Sequence, residues 1–270
     1  MDTKKFIKRY KIIFGIILSI FIVAIALAVL LQEDVFEIFF PNAKFKGVTL
    51  NGSIGIAFFS TIFYIATYSK ISSKVPYILQ ELCLPNEYRE VYLALSPKKN
   101  KTGALLVNNA TDFMLGNFDP VKIRCLDILM DKTASITLVN HAYLTLAQIY
   151  FVMDDLNNLV TIEKTISIRL NECKNERFKK IYEHIDTTYK SLIEFLNGDT
   201  EPLRNVYSEV KDTLKHKSDR SLANYYYAIT LIKNGEAELA IPILEKLITD
   251  VPKLFVSKFA QMILIQIVVQ

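Results

Sequence analysis

The sequence predicts an all-α protein, with two N-terminal transmembrane helices followed by a cytoplasmic α-solenoid of helix pairs. Two long uncharged stretches near the N-terminus predict the membrane helices. From Pro85 onward, apolar residues recur every three or four positions, and strand-like alternation is scarce. Four turn signals then divide this region into helix pairs, at Gly116, Asp154, Gly198 and Gly235.

The first uncharged stretch lies between Lys11 and Glu33 and contains 21 residues. At a rise of about 1.5 Å per residue, a helix of this length spans a hydrocarbon core roughly 30 Å thick. A cleaved signal peptide is the alternative, because small residues around Ala26 resemble a cleavage site. The apolar run is too long for such a peptide and continues past Ala28. We therefore interpret residues 12–32 as a transmembrane helix.

The second uncharged stretch, residues 47–69, is less apolar but still long enough to span a bilayer. Residues 1–74 would then form a membrane anchor. Lysine and arginine cluster before the first stretch and follow the second, whereas the loop between them has only Lys44 and Lys46, beside three acids. Since basic residues favour the cytoplasmic side, we expect a cell-membrane protein with two spans and both termini in the cytoplasm.

The charge balance of the remaining chain argues against a nucleic-acid partner. Residues 70–270 carry 25 of the 32 lysines and arginines and 24 of the 28 acids, so most of the net charge of +4 belongs to the anchor. A nucleic-acid-binding domain normally keeps a basic surplus on its own surface. Many Ile, Lys and Asn residues and no Trp are typical of an AT-rich bacterial genome.

Residues 222–248 show one helix pair most clearly. Apolar stripes run along both predicted helices, and Gly235 ends the first of them. Small residues, Ala228 and Ala240, lie where the two helices would cross closely, and Pro252 follows the second helix. This pattern resembles the tetratricopeptide repeat (TPR), which has small residues, a glycine and a proline at corresponding places.

Three further stretches extend the resemblance. Residues 141–166 align with the same pattern, and two weaker units surround Gly116 and Gly198. The four turns are 38, 44 and 37 residues apart, whereas the family repeats at about 34. The resemblance covers about residues 101–252 and implies a TPR-like helical domain over residues 75–270. Other solenoids of helix pairs are the alternative.

The resemblance implies an inner groove lined by the first helix of each pair. In the two clearer pairs the groove positions are His141, Leu144, Gln148, Phe151, Val152, Leu222, Tyr225, Ile229, Ile232 and Lys233. An apolar groove of this kind suits an amphipathic helix or an extended hydrophobic peptide as the protein partner. The protein's own helices are the alternative occupant.

Three consecutive tyrosines lie on the first helix of the clearest pair. The resemblance implies that Tyr227 is buried within the pair, that Tyr225 faces the groove and that Tyr226 lies between them. Core packing is the simpler role for all three, and contact between Tyr225 and a ligand is the alternative.

The sequence contains no recognisable catalytic or metal-binding pattern. The cysteines, Cys83, Cys125 and Cys173, are far apart and odd in number, which argues against disulfides and zinc. The histidines have no second ligand at metal-binding spacing. Since the glycine-rich phosphate motifs and G-x-S-x-G are also missing, we expect no cofactor and no enzyme.

Two functions fit this organisation. The first is a membrane-anchored protein–protein interaction scaffold or accessory subunit of a membrane complex. The second is a membrane-tethered sensor that binds a peptide, as TPR-like domains of some bacterial regulators do. Those regulators usually carry a DNA-binding head where this chain has an anchor, which favours the scaffold. An enzyme whose chemistry the sequence does not reveal is a remote alternative.

The C-terminal segment is apolar almost all round. Residues 262–269 contain one polar residue in eight, and too few residues follow Lys258 to span a bilayer. A terminal solenoid helix normally needs a polar outer face. Either the chain buries this helix itself or the helix forms a contact with a partner subunit or a second copy of the chain. We expect a protein–protein contact that includes Ile263 and Ile267.

Overall fold

The computed structural model describes residues 2–30, 61–62, 65, 74–96 and 100–269. Every regular element within these residues is an α-helix, with no strand among them. The all-α class is therefore confirmed for the described residues. The predicted second transmembrane helix, residues 47–69, and the loop before it lie almost wholly outside them.

Twelve helices are described, numbered here in chain order. They are α1 (Thr3–Leu30), α2 (Lys74–Gln80), α3 (Pro85–Leu95), α4 (Lys101–Leu115), α5 (Phe118–Met130), α6 (Ile136–Val152), α7 (Leu156–Glu172), α8 (Glu176–Leu196), α9 (Glu201–Val210), α10 (Lys217–Lys233), α11 (Ala237–Asp250) and α12 (Phe255–Val269). From α4 onward the connections are short, so chain neighbours that pack together run antiparallel.

The chain divides into two compact units. One consists of Met1–Ile78 with Glu87–Asn100, and the other of Leu79–Asn86 with Lys101–Gln270. The first unit contains α1, and the second contains α4 to α12. The boundary near residue 74 between an anchor and a helical domain stays a prediction.

Among the described helices, α1 is long and apolar enough to cross a membrane. Its apolar window, Thr3–Leu27, has a mean hydropathy of 2.6, and none of it is buried against the described protein. Ile16 and Ile20 each expose more than half of their surface. Apolar surface of this extent is unfavourable in water, so the length and composition of α1 suit a lipid environment.

Helices of the second unit pack on their chain neighbours and on alternate helices. α5 packs on α6, α7 on α8, α9 on α10, and α10 on α11. α6 also packs on α8, where the hydroxyl of Tyr189 donates a buried hydrogen bond of 2.9 Å to the carbonyl oxygen of Tyr143. α12 packs on α10 and α11 and also contacts α4. The last helix of this unit therefore contacts its first long helix.

The four turns predicted from sequence end α4, α6, α8 and α10 with one geometry. Gly116, Asp154, Gly198 and Gly235 all have positive φ. The N–H of each, and the N–H of the residue after it, donates to carbonyls of the last helical turn, which is a Schellman cap. Because the left-handed conformation favours glycine, these turns are readable from the sequence.

Candidate functional site

A cavity of about 380 Å³ lies between α6, α8, α9 and α10, and is called the central cavity below. Its lining residues are Leu144, Gln148, Phe151, His184, Thr187, Thr188, Ser191, Leu192, Leu203, Val206, Tyr207 and Tyr226. On α6 and α8 these residues are spaced three and four apart, which places each set on one helix face. The cavity is therefore built from faces of four separate helices.

No residue among those that line the central cavity carries a permanent charge. The hydroxyls of Thr187 and Thr188 donate to carbonyl oxygens of their own helix, each at 2.9 Å. The polar groups that remain for a ligand belong mainly to Gln148, His184 and Ser191. The cavity thus suits an uncharged, largely apolar surface with a small hydrogen-bonding part.

Tyr226 belongs to an aromatic cluster beside this cavity. Its ring centroid lies 5.5 Å from that of Phe151 and 5.3 Å from that of Tyr207, and Phe195 packs on Phe151 at 5.1 Å. We call these four residues the cavity cluster. Although Tyr226 is 3% exposed, its hydroxyl has no hydrogen-bond partner among the described residues.

Burial also governs the protonation of the two phenols in the cavity cluster. It raises the pKa of Tyr207 to about 12 and that of Tyr226 well above its ordinary value. Both phenols therefore remain neutral at physiological pH, and this wall of the cavity keeps its uncharged character.

Three of the predicted groove residues, Leu144, Gln148 and Phe151, line the central cavity. Gln148 is exposed, whereas Phe151 is buried. The prediction for α6 therefore identified part of one wall of this cavity.

The other predicted groove residues do not line the central cavity. Ile229 and Ile232 are half-buried. Lys233 lies 4.8 Å from the centroid of the Phe195 ring and 3.8 Å from a carboxylate oxygen of Asp154. Burial lowers the pKa of His141, whose Nε2 has no hydrogen-bond partner in the described part of the chain. These residues have several different surroundings outside the central cavity, and their sharing one groove stays a prediction.

Two of the three tyrosines, Tyr225 and Tyr226, pack in the core, but the arrangement that the resemblance implied for Tyr225 and Tyr227 differs from the structure. Tyr225 is 5% exposed, and its ring lies 6.1 Å and 6.4 Å from those of Phe255 and Phe259 on α12. Tyr227 is only half-buried, and the ammonium of Lys211 lies 5.4 Å from the centroid of its ring. The reason is that α12 covers the face of α10 that the repeat pattern leaves open.

The walls supplied by α8 and α9 were missed by sequence reasoning. His184, Thr187, Thr188 and Ser191 follow the spacing of one helix face, which is a readable signal. The unit around Gly198 matches the repeat pattern too weakly for the pattern to indicate its inner-face positions. The helical period alone does not tell which face of α8 borders a cavity.

The two halves of α12 differ in burial. Phe255, Val256 and Ala260 in the first half are buried. In the second half Met262 and Ile265 are each 59% exposed. The predicted contact residues Ile263 and Ile267 are half-buried. Burial within the chain therefore accounts for the first half of the helix and leaves an apolar edge on the second.

The described residues hold no cluster of three or more His, Cys, Asp or Glu side chains that could bind a metal ion. Burial raises the pKa of Cys83, and it raises the pKa of Cys125 to about 12. These two thiols are thus protonated at physiological pH and weakly reactive.

The site is an uncharged cavity bordered by an aromatic cluster, within a unit built of helices. Comparison of the chain with family models, with curated proteins and with solved structures finds no match.

Proposed function

We propose that this chain is a membrane-anchored scaffold, or an accessory subunit of a membrane complex, that binds a protein partner in the central cavity. The uncharged lining of the cavity carries this proposal. A charged side chain would lose hydration there without gaining an ion pair, so the lining selects an apolar segment. The cavity volume lies near the lower end of the range of roughly 300–1,000 Å³ that is usual for ligand pockets. A cavity of this size accommodates a few side chains of one partner segment.

The partner segment that fits best is an amphipathic helix. Its apolar side chains would enter between Leu192, Leu203 and Val206, while its polar face remains in solvent. Gln148 and Ser191 would supply hydrogen bonds at the edge of the contact. No charged partner residue is required within the cavity.

The helical unit is proposed to be a TPR-like solenoid. Two observations support this: the shared caps at the ends of α4, α6, α8 and α10, and the packing of α6 on α8. In stacked repeats each unit contacts its neighbours, and the inner face provides the binding surface. Three of the four helices around the central cavity are the first helices of their pairs.

The membrane anchor is proposed to contain α1 and a second span at residues 47–69, with both termini cytoplasmic. The exposed apolar surface of α1 and the distribution of lysine and arginine support this topology. The central cavity would then meet cytoplasmic segments of other proteins.

A second contact with the same complex is proposed at the C-terminal half of α12. Met262 and Ile265 expose apolar surface there, and Ile263 and Ile267 lie beside them, half-buried. A protein subunit that covers this edge would remove the apolar surface from water. A second copy of the chain would do the same, and the cross-linking experiment below would then show a dimer of this chain at Ile265.

Site-directed photo-cross-linking in the native membrane tests these contacts. A benzoylphenylalanine is placed at Gln148 in the central cavity, at Ile265 on α12, or at Leu239 as a control. Leu239 is 59% exposed on α11 and lies outside the cavity lining. We expect one protein to cross-link at Gln148, through the apolar face of a helical segment. We expect a subunit of the same complex to cross-link at Ile265, and no protein to cross-link at Leu239.

A matched pair of variants shows whether the cavity itself is responsible. Val206 is 51% exposed, so Val206→Glu introduces a charge into the lining at little cost in folding. This variant should abolish the cross-link from Gln148, whereas Leu239→Glu should leave it intact. Equal cross-linking in both variants, or none at Gln148 in the parent, would contradict the proposal. Capture of a free short peptide would favour the sensor.

A further inference from the structure

A second cavity of about 580 Å³ lies where α5 and α7 end and where α6 and α8 begin. We call it the terminal cavity. Its apolar lining includes Met130, Ile136, Val139 and Phe178. Unlike the central cavity, it also contains charged side chains, and one of them is an arginine.

Arg169 is half-buried in this lining. Its guanidinium lies 5.9 Å from the centroid of the Tyr143 ring. It forms no ion pair and no hydrogen bond with any residue that the structure describes. A guanidinium carries five N–H donors in a planar fork that matches a carboxylate. Arg169 therefore presents a cation that has an aromatic neighbour but no anionic partner among the described residues, beside an apolar surface.

The acid in the same lining does not neutralise Arg169. Asp131 accepts hydrogen bonds from the N–H and the hydroxyl of Thr133, at 2.8 Å and 2.7 Å. These bonds lower the pKa of Asp131 and hold its carboxylate at the loop. Because Lys132 also lines the cavity, the charged residues of the lining leave one net positive charge. This balance favours a ligand with a single negative charge.

We propose that the terminal cavity binds a carboxylate attached to an apolar body. The carboxylate would form a bidentate pair with Arg169, and the apolar body would lie against Met130, Val139 and Phe178. A free fatty acid and the C-terminus of a hydrophobic peptide share this chemistry. The proposal is independent of the central cavity and of the partner that binds there.

Direct binding to the purified full-length chain in mild detergent tests the proposal. Two pairs of probes are titrated by calorimetry: decanoate with decanamide, and N-acetyl-leucyl-leucine with its C-terminal amide. Within each pair only the negative charge differs. We expect at least one carboxylate to bind and its amide to bind at least tenfold more weakly, because a hydrogen bond between charged groups contributes roughly 1.5–3 kcal/mol.

The variants locate the binding. Arg169→Gln should weaken carboxylate binding at least tenfold, and Arg169→Lys should restore only part of it. Arg177→Gln is the matched control, because Arg177 is exposed and lies outside the cavity lining. Phe178→Ser should weaken binding through the apolar wall, and a side chain that is 37% exposed tolerates this change.

Several results would overturn the proposal. These are the failure of both carboxylates to bind, equal binding of carboxylate and amide, and equal binding by the Arg169→Gln and Arg177→Gln variants. Circular dichroism of each variant shows that loss of binding is not loss of fold. If decanoate alone binds, the ligand is of the fatty-acid type; if the dipeptide alone binds, it is a peptide C-terminus.

Discussion

Tyr225 and Tyr226 are neighbours in the sequence, and their ring centroids lie 5.7 Å apart, but their other ring contacts extend into two different sets of aromatic residues. Tyr226 belongs to the cavity cluster, beside Phe151 and Tyr207. Tyr225 belongs to a second set that we call the closing cluster. This set joins α12 to α4, α5 and α10, and its members are Phe113, Phe118, Tyr225, Phe255 and Phe259.

The two clusters differ in how completely they fill space. In the closing cluster Phe255 is 1% exposed, and a Cβ on Gly116 would lie 2.9 Å from the Cβ of Phe255. The cavity cluster borders an open volume and retains a buried hydroxyl without a partner among the described residues. Tight packing with no unpaired buried polar group is typical of a structural contact. An open volume and an unpaired polar group are typical of a binding region.

The largest effect is expected from Phe255→Ala. This change removes a fully buried ring that touches helices distant in sequence, and it should lower the free energy of unfolding by about 3–5 kcal/mol. Urea unfolding of the full-length chain in mild detergent, followed by circular dichroism, measures the loss. Phe178→Ala is the control, because its ring is 37% exposed, and it should cost only about 1–2 kcal/mol. Equal losses would mean that the closing cluster is not a structural contact.

A smaller effect is expected from Gly116→Ala, for which Gly235→Ala is the matched control. Both glycines have similar positive φ, +81° and +76°, so both variants acquire left-handed strain of about 1–2 kcal/mol. An added Cβ at Gly235 meets no atom within 4 Å, whereas at Gly116 it meets Phe255. Gly116→Ala should therefore cost about 1–3 kcal/mol more than its control, through overpacking. The same unfolding measurement gives the difference, and equal values would contradict the close approach of α12.

The glycine turns and the burial of Tyr225 differ in how far the sequence predicts them. The turns at Gly116 and Gly235 follow from local backbone chemistry, so they were predicted correctly. The burial of Tyr225 depends on Phe255 and Phe259, which lie thirty or more residues further along the chain. No periodicity within α10 contains that information.

The central cavity was predicted only in part, because it also depends on contacts between helices that are distant in the sequence. The resemblance to the tetratricopeptide repeat placed Leu144, Gln148 and Phe151 on the inner face of α6, and that placement depends on one helix alone. The opposite wall comes from α8 and α9, and it becomes part of a cavity only when these helices pack beside α6 and α10. Long-range packing also explains the terminal cavity, in which Arg169 of α7 meets Phe178 of α8 and Met130 of α5.

The smallest effect is expected from Tyr226→Phe, and its sign distinguishes the two kinds of buried tyrosine. The Tyr226 hydroxyl has lost its hydration and has no partner in the described protein. Its removal should therefore raise the free energy of unfolding by up to about 1 kcal/mol. Tyr189→Phe is the matched control, because the Tyr189 hydroxyl donates to the carbonyl oxygen of Tyr143 at 2.9 Å.

The control should lower the free energy of unfolding by about 1 kcal/mol, since it removes a hydrogen bond that is satisfied in the buried protein. For a domain of this size each kcal/mol corresponds to a shift in Tm of roughly 2–4 °C, so thermal unfolding of both variants resolves the opposite signs. A loss of stability in Tyr226→Phe equal to that in Tyr189→Phe would mean that the Tyr226 hydroxyl is hydrogen-bonded in the free protein. In that case the cavity cluster would be as fully satisfied as the closing cluster, and the distinction between a binding region and a structural contact would rest on volume alone.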